Sequence, residues 1–120
     1  MQYMLLIYRD EAKLESFSPP ERDALLEEYK VLTEGLVKSG QYKASDRLAP
    51  SSSATVVRVR GGRTLTTDGP FAETKEQLGG YFLVEAEDLD AAVAIAARIP
   101  VARFGSIEVR PLWQSANAEA

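Results

Sequence analysis

"YMLLIY", residues 3–8, places six apolar or aromatic side chains in a row. Successive side chains of a strand point to opposite faces, so Tyr3, Leu5 and Ile7 need cover on one side and Met4, Leu6 and Tyr8 on the other. "YFLVE", residues 81–85, repeats the problem, with Tyr81 and Leu83 set against Phe82 and Val84. These two runs predict central strands packed on both faces. What covers the two faces decides the fold.

Two segments carry the marks of amphipathic helices. Ser18, Pro19 and Glu21 combine an N-cap, a proline in the first turn and a capping box. Leu25, Tyr29, Leu32 and Leu36 then recur at helical spacing, which predicts a helix over about 19–39. A second helix starts at the cap Asp88, with Leu89, Val93, Ala96 and Ile99 as its stripe, and ends near Arg98 and Pro100. The intervening "RDEAKLESFSPPE", residues 9–21, reads as a polar connector up to that first cap. "QYKASDRLAPSSS", residues 41–53, is weakly patterned, with room for a short strand before Pro50.

"ATVVRVR", residues 54–60, alternates Val57 and Val59 with Arg58 and Arg60, and Gly61-Gly62 turns the chain into "RTLTT", residues 63–67. That is the pattern of a β-hairpin with its arginines toward water. "GSIEVRPL", residues 105–112, reads as the last strand, anchored by Trp113. The expected organisation is a single domain over 1–113 and a flexible tail over 114–120.

Strand, helix, two or three strands, helix, strand is an α+β plan of the ferredoxin-like type, βαββαβ with an extra hairpin. Its two helices cover one face of an antiparallel sheet. A bare second face would expose a continuous apolar patch, so a sheet-to-sheet homodimer is the expected solution.

The chain has 120 residues, a net charge of -4 and a pI near 4.9, which gives no electrostatic reason to expect nucleic acid or an anionic membrane as a partner. It contains no cysteine and no histidine. Thiolate chemistry is therefore excluded, and the commonest near-neutral acid-base group is missing. No acidic run has the spacing of a calcium loop, so no metal is expected. No cofactor is expected either. The N-terminal apolar run is too short for a leader or a span, so a cytoplasmic protein is expected.

"TTDGPFAETKEQLGGYFLVEAEDLDAA", residues 66–92, resembles the DGPF-domain proteins, a branch of the YciI-like (YCII-related) family in the dimeric α+β barrel superfamily. "YMLLIY", the stretch 57–85 and "GSIEVRPL" extend the resemblance over nearly the whole chain. It implies a ferredoxin-like protomer, a homodimer and a cleft lined partly by the loop after Asp68. YciI-like proteins have been considered possible enzymes for a histidine and an aspartate that meet in a cleft; here only Asp68 could take a part in such a pair. The resemblance also implies a link to extracytoplasmic-function sigma factors, and so a sigma-factor-related protein partner.

Between the expected strands 63–67 and 81–85 lies about a dozen residues, more than a hairpin needs. Asp68 is the candidate catalytic group. Its plainer reading is an Asx-type turn in which the carboxylate accepts the Phe71 N–H. Glu73 and Lys75 are candidates to orient a polar ligand, with Phe71 as a lid; a solvated, self-paired loop is the alternative. Tyr8 and Tyr81 join them as candidate ligand contacts, and as interface aromatics otherwise. Two functions follow as expectations: a small-metabolite site with scope for cofactor-independent acid-base chemistry, or a non-catalytic module that binds a protein.

Overall fold

The computed structural model describes residues 1–114; the tail expected over 114–120 lies, but for Gln114, outside them. Strand β1 spans Gln2–Arg9, helix α1 Glu11–Glu15, helix α2 Pro19–Lys38 and strand β2 Tyr42–Arg47. A 3-10 turn at Ser51–Ser53 leads into β3 (Thr55–Arg60) and β4 (Arg63–Asp68). Then come β5 (Gln77–Glu85), α3 (Leu89–Ala97), a second 3-10 turn (Pro100–Arg103) and β6 (Ser106–Pro111). Four strands form an antiparallel sheet in the order β2-β5-β1-β6, while β3 and β4 form a separate two-stranded sheet. This is the α+β, ferredoxin-like arrangement with an added hairpin.

The two central strands carry the core on one face. Tyr3, Leu5 and Ile7 of β1 and Phe82 and Val84 of β5 are buried beneath Leu32 and Leu36 of α2 and Ala92, Ile95 and Ala96 of α3. Helix α2 begins where the sequence places it. Ser18 caps the Glu21 amide, and the Glu21 carboxylate accepts the Ser18 N–H at 2.8 Å. Of the expected stripe of α3, Ala96 and Ile99 are buried, but Leu89 and Val93 are about half exposed, and Ala92 and Ile95 join the buried face in their place. Small alanine side chains let the helix backbone approach the strands, which a leucine in their place would prevent.

Three other expectations need correction. Residues 9–21 are not all connector, because Asp10 caps the Ala12 and Lys13 amides and starts α1. Strand β5 begins at Gln77, so the loop after β4 has eight residues, 69–76, not about a dozen. Trp113 anchors nothing among the described residues, being 74% exposed beyond the end of β6.

The opposite face of the sheet has no cover among the described residues. Met4, Leu6 and Tyr8 of β1 and Tyr81 and Leu83 of β5 are partly exposed there, and the molecule is only 19 Å across its shortest axis. That is the thickness of two layers, one of sheet and one of helix. The β3-β4 hairpin is more open still. Gly61 and Gly62, with φ of 55° and 76°, form its turn, and Val57 and Val59 on one of its faces are 60% and 59% exposed. The valines, like Arg60 and Arg63, lie toward solvent in the isolated chain.

Candidate functional site

A cleft opens at the end of the sheet where β1 and β2 finish and β5 begins, on the helix-covered side. Its volume is about 530 Å³. Ile7, Leu14, Leu25, Phe82 and Val101 supply apolar walls, and Arg9, Arg22 and Arg47 bring cations to it.

Each wall has a local cause. Arg9 follows Ile7 by two residues along β1 and so leaves the strand on the core side. Arg47, opposite Gly80 in the ladder, arrives from the other edge. Gly79 leaves the space that the Arg9 guanidinium fills; a Cβ at that position would overlap it. Tyr29, reaching in from α2, stacks on Phe82 with ring planes 3° apart and centroids 6.3 Å apart. Burial pushes the Tyr29 hydroxyl up to about 12, against the opposing pull of Arg9, the Val101 backbone, Arg47 and Arg103. At neutral pH it is a hydrogen-bond donor, not a phenolate.

The acidic side chains of the lining are engaged elsewhere or lie at its rim. Glu11 accepts the Ser51 N–H at 2.8 Å and the Ser51 hydroxyl at 2.6 Å, tying α1 to the 3-10 turn after β2. Asp46 accepts the Tyr81 hydroxyl at 3.1 Å. Glu15 is exposed. Arg22 donates to the carbonyls of Phe17 and Glu15, at 3.2 and 2.8 Å, which closes the corner between α1 and α2.

The residues singled out in the sequence are dispersed. Asp68 ends β4 opposite Thr55, exposed, and its carboxylate accepts no hydrogen bond among the described residues. The turn after it is held by the backbone, Gly69 N–H donating to Ala54 O at 2.7 Å, and not by an Asx bond to Phe71. Phe71 is 78% exposed and lies 5.7 Å from the Arg58 guanidinium. Glu73 and Lys75 are exposed and outside the cleft lining. Tyr8 points its hydroxyl to Glu108 at 3.1 Å on the open sheet face; partial burial, then the Glu108 bond and charge, raise its pKa. Of the six, Tyr81 alone borders the cleft, and the Asp46 hydrogen bond is the main reason its pKa is raised.

No residue of the loop 69–76 lines the cleft, but the loop's end is tied to α1, which does. Gln77, at its end, accepts the Glu11 N–H at 3.0 Å and donates to Thr74 O at 2.6 Å. The loop after Asp68 is thus held to α1 through Gln77, and its Asp68 end is carried away on the hairpin.

This chain of elements matches a known domain. The family model described as the YCII-related domain spans residues 1–116. The chain belongs to the YCII-related family. An uncharacterized protein of Rhizobium meliloti (strain 1021) is 37% identical to this YCII-related domain over 114 residues, covering 93% of this chain and 92% of that protein. Nothing in that relative's name bears on a ligand. Among the described residues of this YCII-related domain no helix is long and apolar enough to cross a membrane.

Sequence reasoning expected a cleft but missed its polar groups, Arg9, Tyr29 and Arg47, because they come from three separate elements. Tyr29 stood in the helical stripe as an ordinary core residue. The signal that could have found them is an arginine at the end of each of two strands, on the core side of both.

Proposed function

We propose that this YCII-related domain binds a small organic metabolite in the cleft between β1, β5, α1 and α2. One observation carries the reading: a largely apolar hollow of about 530 Å³, with a few convergent polar groups, is of the size and character that small-molecule sites have. Asp68 lies outside the lining, so the reading is one of binding and does not route a reaction through that carboxylate. A thermal-shift panel of metabolites tests it. A ligand present at a hundred times its Kd stabilises the fold by about 2.7 kcal/mol, which is a readily measured shift for a domain of this size. The same ligand should move the amide resonances of Gly79 and Gly80, and Asp68→Asn should leave its affinity unchanged. A panel in which no compound moves either signal rejects the reading.

The working unit in this proposal is a homodimer in the cytoplasm. Its support is the row Met4, Leu6, Tyr81 and Leu83 on the open sheet face, together with the exposed Val57 and Val59 of the hairpin.

A further inference from the structure

We propose that the cleft takes an organic carboxylate, its anionic head held by Arg9 and Arg47 and its apolar body lying against Tyr29 and Phe82. This rests on the reading of the cleft as a small-molecule site and adds the chemical class of the molecule.

The argument begins with an orphan. Arg9 Nε is buried and has no hydrogen-bond partner among the described residues. A buried donor without a partner forfeits the hydration it had in the unfolded chain, a cost that is larger where charge is involved. Such groups are rare in native proteins, and a missing ligand is one physical reason for them. Arg9 has no carboxylate of the described residues within salt-bridge distance either. The ion pairs among the described residues are the N-terminal amine with Glu85, Arg103 with Glu28, and Arg110 with Glu108. Arg47, across the cleft, is likewise in none of them.

The neighbouring acids do not substitute for a ligand. Glu11 is bound by two donors from Ser51, and Asp46 accepts a tyrosine hydroxyl. The third arginine, Arg22, is already engaged with two carbonyls. That leaves two free guanidinium groups and the protonated hydroxyl of Tyr29 around one hollow. A planar guanidinium matches the two oxygens of a carboxylate with parallel N–H bonds. Of the rest of the lining, the Thr33 hydroxyl is bound to the Tyr29 carbonyl and the Ser45 hydroxyl to the Tyr42 hydroxyl, and Ile7, Leu14, Leu25 and Val101 are apolar, so these walls suit a hydrocarbon or aryl body and not a bare inorganic anion.

Isotope-labelled full-length protein, titrated separately with 2-naphthoate, 2-naphthamide and inorganic phosphate, tests the idea. The readouts are the Gly79 and Gly80 amides and the Arg9 Nε–H resonance. The expected result is saturable binding of the acid at least tenfold tighter than that of the amide, with the Arg9 Nε–H shifting, and no comparable response to phosphate. Arg9→Met and Arg47→Met should each bring the acid down toward the affinity of the amide while leaving the amide unchanged, which also shows that the variants are folded. Arg47 is exposed, so its variant remains informative should the Arg9 variant not fold. If acid and amide bind alike, if phosphate alone matches the acid, or if the acid keeps its advantage in Arg47→Met, the carboxylate assignment falls and the cleft stands as a ligand site. Should neither aromatic compound move the glycine amides, the assignment is overturned, and the metabolite panel alone decides the small-molecule reading it rests on.

Discussion

Gly79 and Arg9 form a pair in which one residue's missing atoms hold the other's charge. An added Cβ at Gly79 overlaps the Arg9 guanidinium, and Gly79 needs no left-handed conformation of its own. Gly79→Ala should therefore destabilise by overpacking, by about 1 kcal/mol, at the low end for such insertions because the obstacle is the tip of a flexible side chain. In an Arg9→Ala background the same change should be neutral or slightly stabilising, since alanine restricts the unfolded chain more than glycine does. A urea double-mutant cycle reads the difference, and equal costs in both backgrounds would contradict the packing argument. Tyr29 supplies a second residue-level test. Its folded pKa is about 12 against 10.0 for an ordinary tyrosine. A raised folded pKa means that its contribution is fully present below pH 10 and is lost as pH rises from about 10 to about 12. Tyr29→Phe should flatten that limb of the stability curve. A spectrophotometric titration of the parent should find one of its five tyrosines ionising last, near 12.

Helix α1 is the element on which the cleft most depends and the one least visible in the sequence. Five residues are too few to hold a helix alone, so α1 exists by virtue of its Asp10 cap and its tertiary ties. Glu11 is the chief tie, joining α1 to Ser51 through its side chain and to Gln77 through its amide. Glu11→Ala should speed hydrogen exchange across residues 11–15 and 48–54 with little change in β1 and β5. Unchanged exchange at Ser51 would show that the brace is not what holds the wall. The long elements were legible because their signals are local: the Ser18 capping box, the leucine spacing of α2, the Gly61-Gly62 turn. Strand β5 was read four residues short because Gly79 and Gly80 resemble loop, whereas Gly79 makes room for Arg9 and a Cβ at Gly80 would lie 2.7 Å from Asp46 O. The face of α3 was read correctly at Ala96 and Ile99 and missed at Ala92 and Ile95, where alanine is a weak hydrophobic signal and yet fits closely against the sheet. The cleft is a property of assembled elements, and spacing along the chain does not encode it.

For the whole molecule the decisive feature is a sheet with cover on one side only. The helix-facing half, Tyr3, Leu5, Ile7, Phe82 and Val84, is at most 5% exposed. Met4, Leu6 and Leu83 lie on the other half, flanked by Glu108 and Arg110 where β6 pairs with β1 and by Asp46 at the β2 edge. An apolar centre with a charged rim is the make-up of a protein interface, and a second copy of the chain presents the same surface about a two-fold axis. A stable dimer buries about 800 Å² from each partner, an area that a four-stranded sheet face can provide. Sedimentation equilibrium at micromolar concentration should give a particle of two chains. Leu6→Arg, which sets a charge at the centre of the face between Glu108 and Tyr81, should shift it to single chains, because two such charges would meet across the axis in a water-poor contact. Val57→Lys separates the contribution of the hairpin from that of the sheet. A dimer lost in Leu6→Arg and kept in Val57→Lys places the contact on the sheet, and the reverse places it on the hairpin. A parent protein that sediments as one chain would leave the open face to a partner of different sequence.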